Sequence, residues 1–289
     1  MARVDAHCHL WQLARGDYAW LDGGPPALDS LRRDFLLGDL EPLLDAAGIE
    51  RVVLVQAAAT EAETDFLLSL ADASERVAGV VGWVDVTSEA SVERLHGWAA
   101  HRAFRGIRPM LQDIEDTEWL ATHTHPAVWR ACVELSLTFD ALIQPRHLPV
   151  LADFCVKHPE LSVVIDHAAK PTQALAGDQM AREEWRRGMA SLAQYPSVYC
   201  KLSGLLTELP DPRPDDLVAA LRETCGDLLD FFGPARLLWG SDWPVLTLVS
   251  DYATWNRVSD AVLASLSEAE RHAVLGDNAR RVYRLEATA

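Results

Sequence analysis

No stretch of this chain approaches the ~18 consecutive apolar residues of a membrane span. Its start, Met1-Ala2-Arg3-Val4-Asp5-Ala6-His7, meets polar residues before any apolar segment of signal length, so a soluble, cytoplasmic protein is expected. Cysteine is scarce: Cys8, Cys132, Cys155, Cys200 and Cys225 are scattered, odd in number and form no CxxC, so neither a disulfide framework nor a structural zinc cluster is suggested. Basic charge is also short. With 26 Lys and Arg against 43 Asp and Glu, the formal net charge is -17, and a nucleic-acid backbone or an anionic membrane surface would be repelled. Neither is expected as a partner; a homo-oligomer is compatible with the composition. Internal repeats, low-complexity tracts and long Gly/Ser linkers are missing as well. The 289 residues, 49% hydrophobic and 24% charged, therefore read as one domain over 1–289.

What is present is a series of eight short apolar or β-branched runs, each followed by a stretch with helical periodicity. They are Val4 to Cys8, Arg51 to Ala57, Val77 to Val84, Phe104 to Arg108, Leu137 to Ile143, Leu161 to Asp166, Val198 to Leu202, and Arg236 to Trp239. Val52-Val53-Leu54-Val55 and Val163-Val164-Ile165 are continuous rather than alternating, as strands covered on both faces should be. The α/β pattern predicts a (β/α)8 TIM barrel. Helices are expected over Phe35–Ala47, closed by Gly48, Ser88–His101 with Ser88 as cap, Pro126–Leu135, Pro145–Lys157, Gln179–Gln194, Pro214–Phe232 and Ser250–Leu266. The segment Asp22-Gly23-Gly24-Pro25-Pro26 reads as a loop over the barrel mouth, the run Arg182–Arg187 as a solvated face, and Asn278 as the cap of the last helix.

In a strand, His7 and His9 fall on one side, about 7 Å apart along the chain, with Cys8 turned the other way into the core. Two imidazoles on one strand end can share an ion. Closing a barrel makes its first and last strands neighbours, which brings Asp242 beside that pair. Chemistry in such barrels sits at the C-terminal strand ends. Those ends here carry His7 and His9, Arg108, Asp166-His167, Lys201 and Ser203, and Ser241-Asp242-Trp243. Three imidazoles and a carboxylate can hold one divalent ion, zinc or manganese, with a position left for water or substrate.

The segments Val4-Asp5-Ala6-His7-Cys8-His9-Leu10-Trp11, Phe104-Arg105-Gly106-Ile107-Arg108, Ile165-Asp166-His167-Ala168-Ala169-Lys170-Pro171, Tyr199-Cys200-Lys201-Leu202-Ser203-Gly204, Trp239-Gly240-Ser241-Asp242-Trp243-Pro244 and Gly276-Asp277-Asn278-Ala279 together resemble the amidohydrolase superfamily. Within it the chain is similar to the lactonase branch that includes L-fuconolactonase, L-rhamnonolactonase and 2-pyrone-4,6-dicarboxylate lactonase. The resemblance implies a barrel that hydrolyses a lactone ring, with His7, His9, His167 and Asp242 as the metal set. It departs from binuclear members: strands four and five end in Arg108, Ile143 and Gln144, with no lysine or glutamate to bridge metals. One divalent ion at most, zinc by preference, is implied.

Attack on an ester carbonyl builds charge on oxygen, so a base and an oxyanion partner are needed. Asp242 is the expected base, and His167 belongs with it in catalysis. Arg108 suits a carbonyl or carboxylate, Trp11 and Trp243 offer aromatic faces, and His147 and Lys170 can reach hydroxyls. A single clear arginine at the strand ends favours a neutral sugar lactone, such as L-fuconolactone or L-rhamnonolactone in carbohydrate catabolism, over a dicarboxylate lactone. The competing readings are a metal-dependent decarboxylase or lyase of the same superfamily, and a sugar-binding barrel without turnover.

Overall fold

A computed structural model describes residues 3–210 and 217–285. Eight parallel strands follow one another in a sheet of order one to eight: β1 Arg3–Cys8, β2 Ile49–Val55, β3 Val77–Gly82, β4 Phe104–Ile107, β5 Thr138–Ala141, β6 Val163–Ile165, β7 Val198–Leu202 and β8 Leu237–Trp239. Past the end of β8, Cys8 pairs in parallel with Trp243, and this closes the sheet into a (β/α)8 barrel. Each predicted run overlaps one strand: β3 to β8 lie within their runs, while β1 begins one residue and β2 two residues before theirs. No helix is long and apolar enough to cross a membrane among the described residues.

Alternating strand residues divide between two apolar layers. Val53, Val55, Val81, Val164 and Leu238 join an inner cluster with Tyr283 and Leu285 of the C-terminal segment, while Val52, Leu54, Val80, Val163 and Trp239 pack outward against the helices. Strand β1 breaks this alternation. Val4 and Ala6 belong to the inner cluster, but Cys8, two residues on, belongs to the outer one. The pairing of β1 with β2 slips between Asp5 and Cys8, where three steps along β1 match two along β2. This is a β-bulge, and its extra residue turns His7 and His9 inward where strict alternation from Val4 would have turned them out. The bulge frees the His7 N–H from the ladder. The buried Asp5 carboxylate accepts it at 3.1 Å and also accepts from Ser241 N at 2.8 Å and the Tyr252 hydroxyl at 2.8 Å, which ties β1 to the segment after β8.

Several helix expectations need correction. The helix Leu37–Ala47 does end at Gly48 in the left-handed conformation. The helix Ser91–Ala99, however, is preceded by Ala90, and Ser88 makes no cap to it. The Pro145 stretch splits into a 3₁₀ turn and the helix Leu148–Lys157, and Pro214 lies outside the described residues. Arg182–Arg187 is a solvated face only in part: Glu183, Glu184 and Arg187 are exposed, whereas Trp185 is fully buried and Arg182 is paired inside with Asp227 at 2.6 Å. Asn278 does not cap a helix but donates its amide to Pro234 O and Leu237 O, pinning the last helix to the start of β8.

A further helix, Glu61–Ala73, lies between β2 and β3. Thr60 caps it, accepting from Glu63 N at 3.1 Å. Glu63 itself is buried and holds the long loop after β1: its carboxylate accepts the Tyr18 hydroxyl at 2.6 Å and Ala57 N at 3.1 Å. The rest of that loop crosses from β2, where Trp20 donates to Ala57 O, to the segment Val245–Leu248 after β8. Asp22–Pro26 belongs to this crossing.

Burial raises the Glu63 pKa above its ordinary 4.5, with the bonds from Tyr18 and Ala57 opposing only in part. A raised carboxyl pKa contributes stability that is complete below the unfolded value and is lost as pH rises through the folded one. Glu63→Gln removes that loss. The melting temperature of the variant minus that of the wild type should therefore become more positive between pH 4 and pH 8 by calorimetry; a flat or falling difference contradicts a buried charge at this position.

Candidate active site

The candidate centre is assembled at the junction of β1 and β8. Asp242 N donates to His7 O at 2.8 Å and His9 N to Trp243 O at 2.7 Å, so backbone pairing sets the spacing of the side chains. His7 Nε2 lies 3.2 Å from His9 Nε2, and Asp242 Oδ1 stands 3.2 Å from His9 Nε2, 3.6 Å from His7 Nε2 and 3.8 Å from His167 Nε2. All four side chains are buried.

Two glycines make room for them. A Cβ on Gly204, whose φ is +62°, would sit 2.5 Å from His167 Nδ1, and one on Gly240 would sit 2.7 Å from His7 Cβ. His167 begins a left-handed turn in which His167, Ala168, Ala169 and Lys170 have φ of 52°, 50°, 59° and 52°. Such a conformation costs roughly 1–2 kcal/mol per non-glycine residue. It is held by Lys170 N donating to His167 O and by the Trp185 indole donating to Ala168 O at 2.8 Å. Asp242 is left-handed too, at φ 58°. Strain gathered on two groups of the same centre is the pattern seen at functional sites.

Beneath the imidazoles lies a charged core that the sequence did not reveal. Lys201, fully buried, reaches Asp140 at 2.6 Å, Asp166 at 3.0 Å and His7 Nδ1 at 3.0 Å, and the Tyr283 hydroxyl donates to Asp140 at 2.7 Å. Burial alone would lower the Lys201 pKa, but Asp140 and Asp166 outweigh it and hold the ammonium protonated. Asp166 is kept well below the ordinary carboxylate value by Lys201, His7 and Arg108 against the pull of burial. Burial, with Lys201, pushes His7 well below 6.5, and burial lowers His167 although Asp242 opposes it. Asp242 would be raised by burial, yet His167, His9 and His7 hold it below 3.8, so it is ionised at neutral pH.

The donor set fits a divalent ion. Zinc–nitrogen bonds of about 2.0–2.1 Å in a tetrahedron place ligand atoms roughly 3.3 Å apart, close to the separations among His7, His9 and Asp242. His9 Nδ1 donates to Val55 O at 2.8 Å, which leaves its Nε2 lone pair facing the centre. His167 Nδ1 lies 2.9 Å from Ser203 Oγ.

The remaining predicted residues are placed differently. Arg108 is buried, paired with Asp166 at 3.4 Å and bonded to Gln56 O, so its guanidinium braces the polar core. Trp11 is fully buried among Tyr18, Trp20 and Phe35 and gives its indole N–H to Arg33 O, which leaves no face for a ligand. Trp243 packs edge-on against Phe35 and is 3% exposed. His147 is buried and accepts Gln144 N at 3.1 Å, serving the turn after β5. Lys170 stands at the rim, 3.6 Å from Glu208, a residue the sequence did not single out.

A parallel barrel with three imidazoles and a carboxylate at the C-terminal ends of β1, β6 and β8 defines a class of metal-capable barrels. Comparison makes the assignment specific: the Amidohydrolase family model matches residues 4–285, and the chain belongs to that family. It is 42% identical to an L-fucono-1,5-lactonase of Burkholderia ambifaria, across 98% of this chain and 96% of the relative. A second L-fucono-1,5-lactonase, from Burkholderia multivorans, is 39% identical over the same shares. The crystal structure of an amidohydrolase from Burkholderia multivorans with bound zinc superposes with a TM-score of 0.89 at 36% identity, covering 99% of this chain and 100% of that one.

Removing one partner of a buried ion pair costs about 3–5 kcal/mol, because the other charge is left unsolvated. Lys201→Met, which strands Asp140 and Asp166, should lose that much in urea unfolding. A loss under about 1 kcal/mol, the size of an exposed pair, would show that Lys201 does not hold the polar core.

Proposed function

We propose that this chain is a lactonase that opens a neutral sugar lactone, such as L-fuconolactone or L-rhamnonolactone, by attack of water on the ring ester. The observation that carries the reading is the ionised Asp242 set against His7, His9 and His167, in a chain 42% identical to an L-fucono-1,5-lactonase. Asp242 Oδ1 faces the imidazoles, and Oδ2 lies beside Gly204. Asp242 takes a proton from water as the oxygen of that water bonds to the carbonyl carbon, and the carbonyl oxygen gains the charge. That charge faces His7 and His167, while His9, whose Nε2 lone pair is turned to the centre, is placed to hold an ion. When the carbon–oxygen bond of the ring breaks, Asp242 returns the proton to the departing ring oxygen, leaving an open hydroxy acid. A pKa held low makes Asp242 a weak base, so proton removal goes together with attack.

His7, His9, His167 and Asp242 are the residues that would hold one divalent ion, zinc by preference. When bound, such an ion supplies positive charge opposite the carbonyl oxygen. Arg108 faces Asp166 and donates to Gln56 O, and a dicarboxylate would call for a cluster of arginines where these strand ends offer this one, which supports a neutral ring. A place in carbohydrate catabolism, in the cytoplasm, goes with this reading.

Asp242→Asn keeps the shape and removes the base. On L-fuconolactone, followed by proton release with a pH indicator, turnover should fall about 10² or more with an unchanged melting profile. Wild-type turnover in the variant would remove Asp242 from the mechanism. Release of carbon dioxide from aromatic acids by the wild type, without lactone opening, would replace the lactonase with a decarboxylase.

A further inference from the structure

On the β5–β7 side a cavity of about 1050 Å3 opens between the loops after those strands and the helices Leu148–Lys157 and Gln179–Leu192; none of His7, His9, His167 and Asp242 lines it, and Lys170, three residues past His167, does. It is at the upper end of small-molecule sites, roughly 300–1,000 Å3. Its charged lining consists of Asp113, Glu184 and Glu208 against Arg146, Lys170 and Arg187, three of each sign and no net charge. Such a wall suits a neutral polyhydroxylated ligand and gives nothing extra to a dianion.

One pair in this wall is built differently from a surface ion pair. Glu208 is 9% exposed and is anchored by the Thr172 hydroxyl, which donates to its Oε2. Its other oxygen, Oε1, stands 3.6 Å from Lys170 Nζ, beyond hydrogen-bond length. Both members are tied to His167. Lys170 closes the left-handed turn that His167 opens, and Glu208 follows the Ser203-Gly204 step whose hydroxyl meets His167 Nδ1. A hydroxyl group is both donor and acceptor, so one alcohol can accept from the Lys170 ammonium while donating to the Glu208 carboxylate. Hydrogen bonds to charged groups are about twice as strong as neutral ones, and a site built for a hydroxyl rejects an analogue that lacks it.

We propose that Glu208, with Lys170, reads a substrate hydroxyl and determines specificity for hydroxylated lactones. The inference rests on the lactonase reading and names the residues that would choose among its substrates. Lys170 and Lys201 are two of only three lysines in the chain, and they divide the work: Lys201 is fully buried under the imidazoles, Lys170 stands at the rim.

The test compares L-fucono-1,5-lactone with δ-valerolactone, the six-membered ring ester bare of its hydroxyls and methyl, in the wild type, Glu208→Ala and Glu208→Gln. The ratio of kcat/KM for the hydroxylated over the bare ring should fall about tenfold or more in Glu208→Ala, with partial recovery in Glu208→Gln. A parallel fall on both lactones, which leaves the ratio intact, would make Glu208 a structural brace and overturn the proposal. Calorimetric titration of L-fucitol, which carries the hydroxyls and no ester, separates the two readings. If the wild type opens no lactone yet binds L-fucitol more tightly than Glu208→Ala, the lactonase reading falls and the hydroxyl site stands. Equal binding by both proteins overturns the hydroxyl site whatever the turnover.

Discussion

The barrel's closure is the constraint from which the rest follows. Two backbone hydrogen bonds, from Asp242 to His7 and from His9 to Trp243, join the segment after β8 to the end of β1. They bring together side chains separated by more than two hundred positions. The β1 bulge then decides what the closure presents. Without its extra residue, alternation from Val4 would carry the histidines to the helix-facing side, and the barrel would close over an apolar mouth. Asp5 makes the bulge tenable by accepting the N–H it releases. A single carboxylate thus links a local irregularity of β1 to the loop that carries Asp242.

A cluster this polar inside a barrel is costly unless each charge is matched. Lys201 supplies the match from below, standing among Asp140, Asp166 and His7, with Tyr283 reaching in from the C-terminal segment. Arg108 adds a second cation against Asp166. The consequence for chemistry is that Asp166 is spoken for, whereas Asp242 is held ionised, among the described residues, by the imidazoles that would surround a reacting carbonyl. Two acids close in space therefore hold different tasks, one structural and one available for proton transfer. Glycines 204 and 240 permit the close approach, and the left-handed turn from His167 to Lys170 links the centre to the rim.

Much of this was legible in the residues. Continuous runs such as Val52–Val55 announce buried parallel strands, eight of them imply closure, and closure places Asp242 beside His7 and His9. What stayed hidden belongs to contacts that no local pattern carries. The bulge leaves no mark in Val4–His9, since both settings put the two histidines on one face. Lys201, Asp140 and Glu208 acquire partners only through the fold. Trp11 has the composition of a ligand-stacking residue and is spent on packing. The helix Glu61–Ala73 does carry ordinary start signals, Thr60 and the acids of its first turn, in a stretch whose apolar periodicity is broken by Thr64 and Asp65. Asn278 reads as a cap from its neighbours alone, and its partners on the β8 side are more than forty residues away.

In the proposed reading the centre, the rim and the cavity divide chemistry from recognition: Asp242 and the imidazoles at the closure, Lys170 and Glu208 at the rim, a charge-balanced hollow beyond. The claim beneath all three is that the ester reacts at the β1–β8 junction. A crystal structure of the Asp242→Asn protein with unopened L-fuconolactone tests it most directly. The account predicts the ring carbonyl carbon beside the substituted side chain, with its oxygen turned toward His7 and His167. A lactone bound with its ester directed away from these side chains would contradict it.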